Sequence, residues 1–218
     1  MISKLHYISQ GKTAEEHLQN IQRACVSGAD WIQLRLKDMN EEDLLDTAIK
    51  AREITSHFQT RLIINDHHKI AIEVKADGVH LGKSDICPII ARKELFSWQI
   101  IGGTANTLDD CLTLIDKKVD YIGLGPYQFT KTKENLSPIL GKNGYIAIIE
   151  ELKTDIPVLA IGGIDITNVE EIIDTGVYGI AVSSEITRDF NNISKFNKIL
   201  KGPSMNEEVW KAPKENTK

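Results

Sequence analysis

No stretch of the 218-residue chain stays apolar for the roughly 18–20 residues that a bilayer-crossing helix requires. The opening residues, Met-Ile-Ser-Lys-Leu-His, lack the charged-then-apolar order of a secretory leader, so a cytoplasmic protein is expected. Nor is there a surplus of positive charge: 26 Lys and Arg stand against 31 Asp and Glu, a net charge of −5. That balance argues against a nucleic-acid surface, so any anionic ligand must be held by local cations and backbone dipoles. Cysteine is scarce. Cys25, Cys87 and Cys111 are odd in number and widely spaced, with no C-x-x-C pair, and read as reduced packing residues. No H-E-x-x-H run marks a zinc site, so His67, His68 and His80 read as core or helix-start residues. A Ser-His-Asp or Cys-His nucleophile arrangement is also missing.

What is present is a rhythm. A short apolar strand followed by an amphipathic helix recurs from Leu5-His6-Tyr7-Ile8 onward. The later strands are expected at 31–37, 61–64, 78–82, 99–103, 121–125, 157–161 and 179–182. Thr13, with Glu16 three residues on, predicts a capping box for a helix reaching Ser27. Asn40 predicts the cap of a helix from Glu41 to about His57. Pro88 suits a first helical turn, and Asp109-Asp110 place negative charge at a helix start. Helices are further expected around 145–153 and 167–174, and from Asn192 to Leu200. Strands hydrophobic nearly throughout are what a parallel sheet covered on both faces requires. Eight such units predict an α/β protein, a single-domain (β/α)8 TIM barrel over residues 1–203, in preference to an open doubly wound sheet. Residues 204–218 turn polar and charged and are expected to form a disordered tail.

In such a barrel every strand's C-terminal end lies on one rim. The ends collect Arg35 and Lys37, Asn65 and Asp66, Asp85, Thr104, the run Thr130-Lys131-Thr132-Lys133, Gly162-Gly163 and Ser183-Ser184. Hydroxyls and lysines packed into four residues after the strand 121–125 suit a polyanion. Glycines after one strand and serines after the next have the layout of a phosphate cup. Asp66 and Asp85, two hard oxygen donors beside cations, suit Mg²⁺ on a diphosphate. Two cations sharing the inward face of one strand, Arg35 and Lys37, need an anionic ligand or acidic partners.

As a set, the motifs Gln33-Leu34-Arg35-Leu36-Lys37, Asn65-Asp66, Gly78-Val79-His80-Leu81-Gly82-Lys83-Ser84-Asp85, Gly103-Thr104-Ala105-Asn106, Gly123-Leu124-Gly125-Pro126 leading to Thr130–Lys133, and Ala160-Ile161-Gly162-Gly163-Ile164 resemble the thiamine phosphate synthase family. The resemblance runs from about Leu5 to Leu200. It implies a transferase that joins 4-amino-5-hydroxymethyl-2-methylpyrimidine diphosphate to 4-methyl-5-(2-phosphoethyl)thiazole, or its carboxylated form, releasing diphosphate. By that resemblance Asp66 and Asp85 hold Mg²⁺. Arg35, Lys37, Asn65 and Lys133 take the diphosphate, the three cations assisting its departure. Gln33 and Thr104 lie against the pyrimidine, and Thr130, Thr132, Gly163, Ser183 and Ser184 hold the thiazole phosphate. Many relatives carry Gln and an acid where Lys83-Ser84 stand. Asn106 stands where a related thiazole tautomerase has a His, which disfavours that activity. A sugar-phosphate isomerase would share the phosphate cup but should offer an acid/base pair. A binding-only relative would not need the two acids with Arg35 and Lys133.

Overall fold

Parallel strands this short gain little alone, and the sheet closes on itself so that no edge is left unpaired. The computed structural model describes residues 1–37, 39–129 and 138–201. Its strands are β1 (Leu5–Ile8), β2 (Trp31–Leu34), β3 (Arg61–Asn65), β4 (Gly78–Leu81), β5 (Ile100–Ala105), β6 (Tyr121–Leu124), β7 (Val158–Ile161) and β8 (Gly179–Val182). They pair in sequence order, all parallel, and β8 returns to β1 through Leu5↔Ile180, His6↔Ala181 and Tyr7↔Val182. Between them lie α1 (Ala14–Val26), α2 (Glu41–His57), α3 (His68–Glu73), α4 (Pro88–Glu94), α5 (Leu108–Asp116), α6 (Gly141–Leu152) and α7 (Val169–Ile173). Two more, α8 (Ser184–Arg188) and α9 (Asn192–Leu200), follow β8. The chain is thus a single-domain eight-stranded barrel, and no described helix is long and apolar enough to cross a membrane. The expected tail at 204–218 lies outside the described residues.

Local signals set the helix starts. Asn40 Oδ1 accepts the Asp43 N–H at 2.9 Å, and three acids in the first turn of α2 face the positive end of its dipole. Thr13 Oγ1 accepts the Glu16 N–H at 3.2 Å, but the Glu16 carboxylate takes the Lys12 N–H at 2.6 Å, so the expected box is displaced by one residue. A complete capping box forms instead at α5 between Thr107 and Asp110. Helix α6 begins at Gly141, four residues before the expected start, and β2 stops at Leu34 rather than Lys37.

Most of the core lies between sheet and helices, where strand residues such as Ile32, Leu62, Ile64 and Ile122 are sealed. A separate cluster closes the barrel near the N-terminal ends of its strands: Trp31, Ile63, Tyr121 and Leu159. The His6 ring stacks on Trp31 at 4.3 Å between centroids. Gly102 permits this packing, because a Cβ there would come within 2.1 Å of the Tyr121 ring. One device recurs at this end. Asp77 Oδ2 receives Arg52 at 2.7 Å and the Leu62 N–H at 2.9 Å, and Asp120 Oδ2 receives Arg92 at 2.5 Å and the Ile101 N–H at 2.7 Å. Each aspartate precedes a strand and ties the previous strand and its helix to it.

Candidate active site

At the opposite end the strands open onto a cavity of about 500 Å³. Gln33, Arg35 and Lys37 line it from β2 and the chain beyond, Asn65 and Asp66 from the end of β3, and Asp85 from the turn after β4. Thr104 of β5, Gly163 after β7, and Ser183 and Ser184 after β8 complete the expected set within the described part of the chain. Thr130, Thr132 and Lys133 lie outside the described residues. Arg35 and Lys37 remain turned to the cavity although β2 has ended, because Ser9 Oγ accepts the Arg35 N–H at 3.1 Å and holds the chain beside β1.

Asp66 adopts φ +65, a left-handed conformation that Asp tolerates better than most residues. Its backbone is fixed by the Asp66 N–H to His80 O at 2.8 Å and the His67 N–H to Asn65 O at 2.8 Å. Burial pushes the Asp66 carboxyl up to about 6, the hydrogen bond and like charge of Asp85 add to this, and Arg35 opposes it. Asp85 Oδ2 in turn accepts the Gly82 N–H at 2.6 Å. Burial lowers Arg35 below the usual guanidinium range, with Asp66 opposing. Among the described residues neither Arg35 nor Lys37 forms an ion pair within 4.0 Å. Two carboxylates pressed together beside two cations without ion-pair partners favour a ligand that carries both a metal ion and negative oxygens. No described group of three His, Cys, Asp or Glu could hold a metal by itself. The pair fits Mg²⁺, which characteristically takes one or two carboxylates and completes its shell with phosphate oxygens and water.

Polar side chains continue from the cavity into the barrel. His80 Nε2 bonds Thr104 Oγ1 at 2.9 Å, and Nδ1 bonds the Tyr121 hydroxyl at 3.1 Å. The Gln33 side chain lies near the same hydroxyl and opposes the rise that burial causes in it. Thr104 is therefore oriented through His80 by one buried tyrosine, whose hydroxyl Gln33 approaches from the other side of the lumen. Burial raises the Tyr121 hydroxyl far above the ordinary phenol range, so it remains protonated. Neither His80 nor Tyr121 was among the expected site residues. They sit inside strands 41 residues apart, and only barrel closure brings them together. Of the other histidines, His68 Nε2 lies 2.8 Å from Glu94 Oε2, and His67 precedes α3.

The far wall belongs to β7 and β8. Gly162 and Gly163 have φ +87 and +72, and a Cβ on Gly163 would fall 2.7 Å from that of Gln128. Only glycine fits here without strain. Asn168 Nδ2 donates to Gly163 O at 2.9 Å. Ser183 Oγ is buried and has no hydrogen-bond partner among the described residues. An unmatched hydroxyl at the wall of a polar cavity suits an anionic oxygen, since leaving it unpaired costs about 1–3 kcal/mol.

Two further side chains in the cavity wall, Lys83 and Asn106, are already engaged. Lys83 Nζ pairs with Asp110 Oδ2 at 2.5 Å, and Asn106 Nδ2 donates to Gly125 O at 2.5 Å. Held in this way, Asn106 presents a fixed amide rather than a group able to exchange protons.

Known proteins resemble this chain over most of its length. A family model described as thiamine monophosphate synthase matches residues 5–186. The thiamine-phosphate synthase of Flavobacterium psychrophilum is 47% identical over 206 residues, covering 92% of this chain and 100% of the relative. That of Bacteroides thetaiotaomicron is 38% identical over 199 residues, covering 90% and 95%. Among solved structures, thiamine phosphate pyrophosphorylase from Pyrococcus furiosus superposes with a TM-score of 0.79 at 28% identity, covering 91% of this chain and 97% of that one. The chain belongs to the thiamine monophosphate synthase family.

Proposed function

We propose that this transferase joins a pyrimidine diphosphate to a thiazole phosphate, with the two anionic groups at opposite walls of one cavity. The observation that carries the reading is that division: acids and cations converge from β2, β3 and β4, while glycines and serines converge from β7 and β8. A single-phosphate isomerase would need the second wall alone.

Arg35, Lys37 and Asn65, with Lys133, would bind the diphosphate of the pyrimidine substrate. Asp66 and Asp85 would hold Mg²⁺, which when bound neutralises the charge gathering on the departing oxygens. Gln33, and Thr104 fixed through His80 and Tyr121, would orient the aminopyrimidine. The C–O bond breaks with its electron pair going to diphosphate, and the aminopyrimidine ring shares the positive charge left on the CH₂. Arg35 and Lys37 stabilise that separation because their charge faces the oxygens where negative charge grows. Gly163, Ser183 and Ser184, with Thr130 and Thr132, would hold the thiazole phosphate and aim the ring nitrogen at the CH₂. Its lone pair forms the new C–N bond, so no protein nucleophile is required. The Asn106 amide, donating to Gly125 O, supports this reading over a tautomerase, which needs a proton-transfer group.

The test is diphosphate release from full-length protein with both substrates, in Mg²⁺ and then in EDTA. Release with metal and both substrates, with thiamine phosphate formed in step, is expected. Folded protein that forms no thiamine phosphate overturns the reading.

A further inference from the structure

The pyrimidine diphosphate just described must reach from Asp85 at its metal-bound end to Thr104 at its ring end. Those residues stand at the ends of neighbouring strands, and side-chain bonds outside the reaction join the chain just beyond the one end to the chain just beyond the other. Asp85 Oδ2 takes the Gly82 N–H at 2.6 Å, so the turn closes mainly upon itself. From that turn Lys83 reaches Asp110 Oδ2 at 2.5 Å. The same oxygen accepts the Asn106 N–H at 2.8 Å and the Thr107 N–H at 3.0 Å, while Thr107 Oγ1 accepts the Asp110 N–H at 3.1 Å. Asp110 is therefore clamped at the start of α5 before Lys83 arrives. Asn106 carries the line onward, donating Nδ2 to Gly125 O. Among the described residues, Lys83–Asp110 is the side-chain bond joining the turn after β4 to the start of α5.

We propose that the Lys83–Asp110 pair, continued by Asn106, is a strap that fixes the Asp85 turn against the Thr104 strand end and so sets the span over which the pyrimidine diphosphate is held. Lys83 is a positioning residue. Two observations favour positioning over stability or direct contact. Half-exposed ion pairs contribute only about 0–1 kcal/mol to folding, and the Lys83 side chain is 48% exposed. Its ammonium points to the capping carboxylate of α5 even though Lys83 borders a cavity holding the Asp66 and Asp85 carboxylates. The inference rests on the proposed function.

The test uses the full chain with Mg²⁺ and compares Lys83→Met, Lys83→Arg, Asp110→Asn and the double variant Lys83→Met/Asp110→Asn. Lys83→Met should raise KM for the pyrimidine diphosphate about tenfold, while calorimetric Kd for inorganic diphosphate stays within about twofold and the melting temperature is unchanged. Lys83→Arg should restore most of the loss. The double variant should be no worse than Lys83→Met, because both remove one bond. A diphosphate Kd that weakens in step with KM would make Lys83 a direct ligand and overturn the strap; an unchanged KM or an additive double variant overturns it as well. Wild-type protein that forms no thiamine phosphate would instead overturn the proposed function, a separate outcome of the same assay.

Discussion

At the N-terminal ends of the strands, Trp31, Ile63, Tyr121 and Leu159 close the barrel; two to four residues further along the same strands, Gln33, Arg35, Asn65 and Gly163 face the cavity. Side chains alternate in and out with a period of two, so each strand contributes to both regions from its inner face. The difference lies in what the inner face must do. At the floor it is shielded from solvent and filled with rings. At the rim it is open, and polar groups without full partners collect there, such as the buried, unmatched Ser183 hydroxyl and the crowded Asp66–Asp85 pair. Backbone strain divides in the same way. Of the described non-glycine residues at positive φ, Gln59, Lys75, Lys118 and Lys153 lie at helix C-terminal ends, where the conformation is a routine stop signal. Asp66 lies at the rim, where the strain aims a carboxylate at its neighbour. The floor stabilises the fold, and the rim holds functional groups in arrangements that folding alone would not favour.

Breaking the floor should have the largest effect. Trp31 is fully buried, and Trp31→Ala is expected to remove about 3–5 kcal/mol of stability, measured by chemical denaturation. A loss under about 1 kcal/mol would mean that the floor does not hold the barrel shut. Breaking the rim should do the reverse. Asp66→Asn keeps the shape and the left-handed backbone, and should lower kcat about 10²–10³-fold. The melting temperature should stay level or rise, because burial and Asp85 both disfavour the Asp66 charge. If stability and kcat fell together, the proposed division would be wrong.

Gly102→Ala should affect both regions at once. The added methyl, 2.1 Å from the Tyr121 ring, should cost about 1–3 kcal/mol. Tyr121 also carries the hydroxyl that holds His80 and, through it, Thr104, so KM for the pyrimidine diphosphate should rise; denaturation and steady-state kinetics on one preparation check the pair. The smallest effect concerns His6, which faces Trp31, Tyr121 and His80 and is kept neutral by burial, with His80 adding to it. Its folded pKa lies well below 6.5. Below pH 6.5 the unfolded chain takes up a proton that the folded one refuses. His6 therefore contributes fully above that pH, and stability falls beneath it by at most about 1.4 kcal/mol per pH unit. His6→Phe should lessen the drop in melting temperature between about pH 7.5 and pH 5.5; an unchanged drop would place the acid sensitivity elsewhere.

The barrel was legible because its signals are local. Asn40 caps α2 over the expected Glu41–His57, and β1 and β8 fall on the expected residues, since capping and hydrophobic runs are read within a few positions. The start of α6 was missed because Gly141 and Gly144 argue against a helix that tertiary packing nonetheless supports. Strand-end position was enough to collect Arg35, Asn65, Asp66, Asp85, Gly163 and Ser183 around one cavity. It could not find His80 and Tyr121, whose places within strands, away from the C-terminal ends, read as plain core.

By itself, then, the sequence determined the order of strands and helices, the caps, and which side chains stand at strand ends, because period and capping chemistry act over one or two turns of chain. Tertiary structure alone decided that Asp66 meets Asp85, that His80 links Tyr121 to Thr104, and that Lys83 is held by Asp110. Each of these contacts joins side chains from different strand–helix units, and their separation is fixed by the closure and register of the whole barrel, which no local pattern encodes.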